Sequence, residues 1–398
     1  MRMEPITPYG LSIGGFALDS STEISSSPRV WLLVGEKRGD NAQVENLARA
    51  IGWAYEEKKI IVEPRWRERK PWVRPALGHV DLVRSDRLEA PWPDLVITAG
   101  RRLSSVGLWI KQVSQAKTRL VLIGRPRRLR ESIDLAVVAA HNALPDGPNV
   151  ARHELPLMQV DPRGLERATA EWRPRLAGLS RPLTALMVGG PTGGLRFDLE
   201  TARALFEQTL RSVEESGGSL YVVTSRRTTS EVVEMLKRVN PDSARLYVFD
   251  PDSRAGENPY HALLGLADHF VVTTDSISMM VEVARLGRPL SLFALESEIG
   301  IVEHMFESLG LLRPLSPRED PIPAGGWWSR MRYRLGRPRH SRDLSAIPRL
   351  LVDKDLAGWL GDEPVVPNAP YADDDLQSLA RRIRALFESD AAGGFGGA

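Results

Sequence analysis

Residues 183–197 read Leu183-Thr184-Ala185-Leu186-Met187-Val188-Gly189-Gly190-Pro191-Thr192-Gly193-Gly194-Leu195-Arg196-Phe197. A short apolar run, Leu183–Val188, has the length of a buried strand. A glycine-rich turn follows it, and Leu199–Glu215 then has the spacing of a long helix. Strand, turn and helix in that order predict one step of a parallel sheet with crossover helices. The same rhythm continues through strands at Leu220–Thr224, Arg245–Phe249, His269–Thr273 and Pro289–Phe293. Helices are expected between them at Thr229–Val239, Tyr260–Ala267 and Ser276–Leu286.

Upstream the rhythm has already run once. Val30–Val34, Asp94–Thr98, Leu120–Ile123 and Leu135–Ala139 read as strands. Asp40 opens a helical pattern, and a second helix follows Gly100. The fold class expected is therefore α/β, with two Rossmann-like domains facing a cleft and parallel sheets flanked by helices. The expected organisation is a leader at 1–27, a first domain at 28–165 and a linker at 166–182, with Leu165–Leu176 as a short helix. A second domain at 183–315 follows, then a basic and aromatic extension with a terminal helix at 316–390, and a frayed tail at 391–398.

Composition narrows the chemistry. The chain has 398 residues, no cysteine, 42% hydrophobic and 26% charged residues. Absence of cysteine excludes disulfide scaffolds, thiolate metal sites and a cysteine nucleophile. No apolar run approaches the length of a membrane-spanning helix, and the first residues carry no signal-peptide pattern. The net charge is +2, unevenly spread. Residues 29–175 hold 27 Lys and Arg against 18 Asp and Glu, whereas the rest holds 26 against 33. A basic first half suits an anionic partner or substrate. The expected location is cytoplasmic, with a peripheral contact at the inner face of a membrane left open.

Candidate site residues fall in turns after strands. Gly189 and Gly190 let main-chain N–H groups approach an anion, and Arg196 adds a charge. The turn is neither a P-loop nor a dinucleotide fingerprint. Thr274, Asp275, Ser276, Ser278 and Met279 occupy the next such turn and helix start, which suits a pyrophosphate. Glu282, two turns into that helix, suits ribose hydroxyls. In Thr224–Thr229 two adjacent arginines, Arg226 and Arg227, stand among hydroxyls and suit phosphate oxygens, with Ser225 and Arg226 singled out as contacts. In the first domain, Gly35, Gly39 and Gln43 suit a second substrate, and Asp40 and His141 are the candidate general bases, with Glu36 beside them. The histidines show no metal-ligand spacing, so no metal and no resident cofactor are expected. Two basic and aromatic stretches, Pro64–Arg74 and Trp327–Arg342, suit a membrane surface. Nucleic acid also fits such a mixture but is not the partner expected.

These motifs resemble the bacterial and plant mitochondrial-fission family whose plant member gives elongated mitochondria when lost. The resemblance rests on Gly35–Gln43, Pro64–Trp72, Leu95–Arg101, His141–Leu144, Gly189–Pro191 and Thr224–Thr228. It continues through Asn258-Pro259-Tyr260, Val271–Glu282 and Gly287-Arg288-Pro289, across roughly 29–312. The segment from Asn258 to Phe293 is also similar to the sugar-nucleotide half of two-domain inverting glycosyltransferases. That likeness implies a GT-B-like fold, a C-terminal helix crossing back to the first domain, Asp275–Met279 on a diphosphate and Glu282 on ribose. Asn258 joins the substrate-binding set on the same ground. Three functions are open at this point. One is a metal-independent glycosyltransferase using a nucleotide-diphosphate sugar as cosubstrate and an unknown acceptor. The second is an adaptor recruiting protein partners, as the plant family is tied to recruiting a dynamin-related protein. The third is a nucleotide-sugar epimerase. Oligomeric state is not legible.

Overall fold

The computed structural model describes residues 27–68, 74–126, 132–142, 147–192, 195–239, 241, 244–252, 257–296, 343–371 and 375–393. The expected leader lies almost wholly outside these residues. So do the Trp327–Arg342 patch, Gly193 and Gly194.

Two six-stranded parallel sheets organise the chain. The first contains β1 (Val30–Val34), β2 (Tyr55–Lys59), β3 (Leu95–Ala99), β4 (Arg119–Ile123), β5 (Leu135–Ala139) and β6 (Val150–His153), in the order β2-β1-β3-β4-β5-β6. The second contains β7 (Leu183–Val188), β8 (Ser219–Thr224), β9 (Arg245–Tyr247), β10 (His269–Thr273), β11 (Leu290–Phe293) and β12 (Gly358–Trp359), in the order β12-β11-β10-β7-β8-β9. Every residue of β1, β3, β5, β7 and β8 is buried. Continuous rather than alternating apolar runs are what a parallel sheet covered on both faces requires.

The covering helices of the first sheet are α1 (Arg38–Ile51) and α3 (Arg101–Val113), with a short α2 (Arg65–Glu68) beyond β2. Around the second sheet lie α4 (Pro162–Leu176), α5 (Leu199–Glu215), α6 (Ser230–Val239), α7 (Tyr260–Leu266), α8 (Ile277–Arg285) and α9 (Ala346–Asp353). The stretch expected as a linker is mostly α4. Asp161 caps it by accepting from the N–H groups of Arg163 and Gly164, and its Trp172 belongs to the second core.

The last helix, α10 (Asp375–Gly393), returns to the first unit and reaches into the stretch read from sequence as tail. Leu376, Leu379, Ala380 and Ile383 join Leu47, Ala48 and Ile51 in one apolar cluster. Arg384 donates to the carbonyl oxygens of Ala50 and Ile51, which lack partners within α1 because the helix ends there. The two units also meet where the chain crosses between them. Arg285 Nη2 donates to the Pro156 carbonyl at 3.2 Å, the Tyr371 hydroxyl donates to Glu154 at 2.7 Å, and Lys354 pairs with Glu154 at 3.1 Å.

Strands β2, β6 and β12 and helices α2 and α9 escaped the sequence reading. β2 is Tyr-Glu-Glu-Lys-Lys, an edge strand with three exposed side chains, so no apolar run announces it. Its main chain nonetheless pairs with all five residues of β1. Edge strands tolerate charge because solvent covers one side.

Candidate functional site

In each sheet the strand order reverses at one point, between β1 and β3 and between β7 and β10. At such a point the crossover helices leave in opposite directions and open a crevice beyond the carboxyl ends of the strands. The turns read as candidates fall on these edges.

In the second unit, Gly189 and Gly190 follow β7, Ser225–Thr229 follow β8, and Thr274–Ser276 follow β10. Thr273 Oγ1 accepts from Gly189 N at 2.9 Å. Asp275 Oδ2 accepts from Gly190 N at 3.0 Å. Arg227 Nη2 lies 2.8 Å from Asp275 Oδ2 and donates to Ser276 Oγ at 2.9 Å. Ser225 Oγ accepts from Arg227 N at 3.2 Å. Gly190, Ser225, Asp275 and Ser276 are thus drawn into one network with Arg227 at its centre, and Gly189 is held beside it by Thr273. The Asp275 side chain is fully buried and its Oδ1 has no partner, whereas the Arg227 side chain is 33% exposed.

The two glycines are needed for this packing. A Cβ on Gly189 would stand 2.2 Å from the Asp275 carboxylate, and one on Gly190 would stand 2.0 Å from the Arg227 carbonyl oxygen. Room for neighbouring protein groups, rather than for a ligand alone, explains glycine at both positions.

The other candidates lie around this network. Thr274 is buried and its Oγ1 accepts from Leu295 N at 3.0 Å. Ser278 and Met279 occupy the first turn of α8 and are partly exposed. Ser276 is the N-cap of that helix, makes no side-chain capping hydrogen bond, and no acidic residue lies in the first turn. Glu282, farther along α8, accepts from the Tyr260 hydroxyl. Burial pushes the pKa values of both groups up, and the negative charge of Glu282 adds to the effect on Tyr260. Asn258 Oδ1 accepts from Tyr260 N at 2.9 Å and so fixes the start of α7.

Two arginines sit differently from their expected places. Arg226 is exposed and bonds to no described residue. Arg196 is held by Asp198 at 3.3 Å and Glu296 at 3.5 Å, outside the Arg227 network. Arg227, read from sequence only as half of the Arg226-Arg227 pair, and Tyr260 are the members not singled out as site residues. An Arg-Arg pair in a turn does not reveal which guanidinium faces inward, and Tyr260 reads as an ordinary residue near a helix start.

In the first unit, Gly35 N donates to Asn41 Oδ1 at 2.9 Å, which closes the turn after β1. Asp40 lies over Gly100 at the β1/β3 reversal, and Lys37 approaches its carboxylate at 3.8 Å. Gln43 Nε2 donates to the Gly39 carbonyl, and Gln43 Oε1 accepts from Leu157 N, each at 3.3 Å. His141 follows β5, and its carbonyl accepts from Asp343 N, at the approach to α9 of the second unit, at 2.8 Å. His141 therefore lies where the two units touch, and Asp40 stands at the reversal of the first sheet.

The family described as mitochondrial fission ELM1 matches this chain over residues 38–329. A mitochondrial fission protein ELM1 of Arabidopsis thaliana is 26% identical over 235 residues, covering 54% of this chain and 54% of that protein. The chain thus spans about half the length of that relative. An uncharacterized protein of Rickettsia prowazekii (strain Madrid E) is 23% identical over 297 residues, covering 66% of this chain and 82% of that protein. Among solved structures, an S. aureus MnaA–UDP co-structure has a TM-score of 0.46 at 11% identity, covering 91% of this chain and 97% of that one. The E. coli ADP-heptose LPS heptosyltransferase II has a TM-score of 0.38 at 13% identity, covering 67% and 84%.

Proposed function

Because this chain belongs to the mitochondrial fission ELM1 family and folds as two GT-B-like Rossmann units, we propose that it binds a nucleotide-diphosphate sugar at the second sheet's reversal and transfers the sugar to an acceptor. One observation carries the reading: Gly190, Arg227, Asp275 and Ser276 converge there, with Glu282 farther along the same helix. Asp275 and Ser276 pin Arg227 through Nη2 alone, so its Nε and Nη1 remain for diphosphate oxygens. The N-terminus of α8 supplies further N–H groups and partial positive charge. Glu282 gives one carboxylate oxygen to Tyr260 and keeps the other for a ribose hydroxyl.

Transfer needs an acceptor hydroxyl to attack the anomeric carbon while the bond to the diphosphate breaks. Asp40 or His141 of the basic first unit takes the hydroxyl proton, and Arg227 with the α8 N-terminus meets the charge on the departing diphosphate. The acceptor reaches the first unit, whose charge suits an anionic or lipid-linked molecule.

Calorimetric titration tests this with UDP, GDP, ADP and inorganic pyrophosphate on wild type, Arg227→Ala and Glu282→Ala. Wild type should bind a nucleoside diphosphate. Arg227→Ala should weaken pyrophosphate and nucleotide alike, and Glu282→Ala nucleotide alone. A wild-type protein that ignores every nucleotide at millimolar concentration overturns the proposal. Release of free nucleoside diphosphate from a sugar nucleotide without acceptor, together with a sugar inverted at one carbon, would favour an epimerase that hydrolyses its donor instead.

A specific observation favours a second reading, an adaptor without a small ligand. The protein's own Asp275 carboxylate already accepts from Gly190 N and Arg227, donors that a phosphate would use. That reading expects no nucleotide binding and partner capture unaffected by Glu282→Ala.

A further inference from the structure

The chain between β2 and β3 leaves the first sheet as a pinned excursion. Val62 and Val80 form an antiparallel bridge, Glu63 N donates to the His79 carbonyl at 3.1 Å, and Asp81 N donates to the Ile61 carbonyl at 2.9 Å. These bonds bring the start of the basic and aromatic stretch Pro64–Arg74 beside the turn 81–87. Asp81 Oδ1 accepts from the N–H groups of Val83 and Arg84, each at 3.1 Å. Asp86 Oδ2 accepts from Lys59 N at 2.6 Å, and Ser85 Oγ from Ile61 N at 2.8 Å. Buried Val80 and His79 anchor the base of the turn, with His79 Nε2 bonded to the Arg102 carbonyl.

At the tip of this fixed turn, Leu82 is 63% exposed and Val83 94%. They are the adjacent pair among the exposed large hydrophobic residues of the described chain. Arg84 and Arg87, next to them in the turn, are exposed, and neither side chain bonds to a described residue. The acidic side chains of the turn are folded back onto main-chain amides. Arg84 and Arg87 therefore carry the turn's unpaired outward charges, with exposed Glu89 just beyond it. Residues 59–89 hold eight Lys and Arg against five Asp and Glu.

We propose that the Leu82–Val83 turn is the contact of this protein with an anionic lipid bilayer. Two aliphatic side chains are too small an apolar area for the core of a stable protein interface, which needs about 1,000 Å² or more and larger anchors. A bilayer asks only for an apolar tip with cations around it, since the tip enters the acyl boundary while the cations stay at the headgroups. The rigid turn spares the ordering cost that a floppy loop would incur on insertion. The proposal stands apart from nucleotide binding and holds for a transferase or an adaptor alike.

Co-sedimentation of the full chain with phosphatidylcholine vesicles, and with vesicles of phosphatidylcholine and phosphatidylglycerol, tests it. Wild type should pellet with the anionic vesicles, less so in high salt, and stay in solution with phosphatidylcholine alone. Leu82→Ser with Val83→Ser should lower partitioning by about tenfold or more, because each side chain loses most of its apolar transfer energy. Arg84→Glu with Arg87→Glu should lower it by at least about tenfold and remove most of the salt dependence. All these side chains are exposed, so thermal melts of the variants should match wild type. Wild type that does not pellet with anionic vesicles, or variants that pellet equally well, overturns the proposal. So does a dimer in sedimentation velocity that the Leu82→Ser, Val83→Ser protein loses, since a second copy would then cover the turn.

Discussion

Replacing Arg227 by alanine removes the side-chain cation that pairs with the fully buried Asp275 carboxylate. Losing one partner of a buried pair costs roughly 3–5 kcal/mol when nothing compensates the charge left behind. Here Asp275 Oδ2 keeps Gly190 N at 3.0 Å and Ser276 Oγ at 3.3 Å, and the 33%-exposed arginine leaves a path for water. These offsets bring the expected loss to about 2–3 kcal/mol. For a unit of this size that lowers Tm by roughly 4–12 °C. Differential scanning calorimetry on wild type, Arg227→Ala, Arg226→Ala, Asp275→Asn and the Arg227→Ala, Asp275→Asn double variant gives the test. Exposed Arg226 should change stability by no more than about 0.5 kcal/mol. The double variant should lose less than the sum of its parts, with a coupling of about 1–2 kcal/mol. Arg227→Ala melting with Arg226→Ala, or an additive double variant, would refute the claim that this pair fastens the β7, β8 and β10 turns together.

Gly190→Ala places a methyl group 2.0 Å from a main-chain carbonyl, which cannot swing aside, and should cost about 1–3 kcal/mol with loss of nucleotide binding. Gly35→Ala presses only on the Leu103 side chain, at 3.3 Å, and meets the Ile60 carbonyl oxygen at an ordinary 3.8 Å, so a smaller loss is expected, and the contrast in chemical denaturation midpoints checks the reasoning. Burial raises the Glu282 pKa in the folded state, so folding favours the protonated acid, and the protein loses this contribution as pH rises through the raised value. Glu282→Gln should therefore gain stability relative to wild type as pH climbs from roughly 4 towards neutrality, and parallel urea curves for the two proteins would contradict this. Burial lowers the His269 pKa, so stability should fall as pH drops below about 6.5. His269→Asn should show a shallower fall in acid melts, unless His79, also lowered by burial, carries the effect.

The buried strands were legible because each is a continuous apolar run ending at a turn. Leu183–Val188 and Val30–Val34 are bounded as their sequence pattern suggests. Edge strand β2 was hidden because its Glu56, Glu57 and Lys59 look like loop residues until their main chain meets β1. The turns bearing the candidate site could also be read, since glycine, hydroxyl and charged residues clustered after each strand. Which of two neighbouring arginines enters the crevice could not be read, because one residue of rotation in a turn reverses inward and outward.

Composition and periodicity alone therefore determined that this chain forms two parallel α/β units with polar turns along their strand ends. Those features follow from local spacing, which hydrophobic burial converts directly into strands and helices. Tertiary structure decided the partnerships: Arg227 with Asp275, Tyr260 with Glu282, and an exposed Leu82–Val83 tip held up by Asp81 and Asp86. Each joins groups through geometry or exposure that arises only after the sheets have fixed the order of their strands.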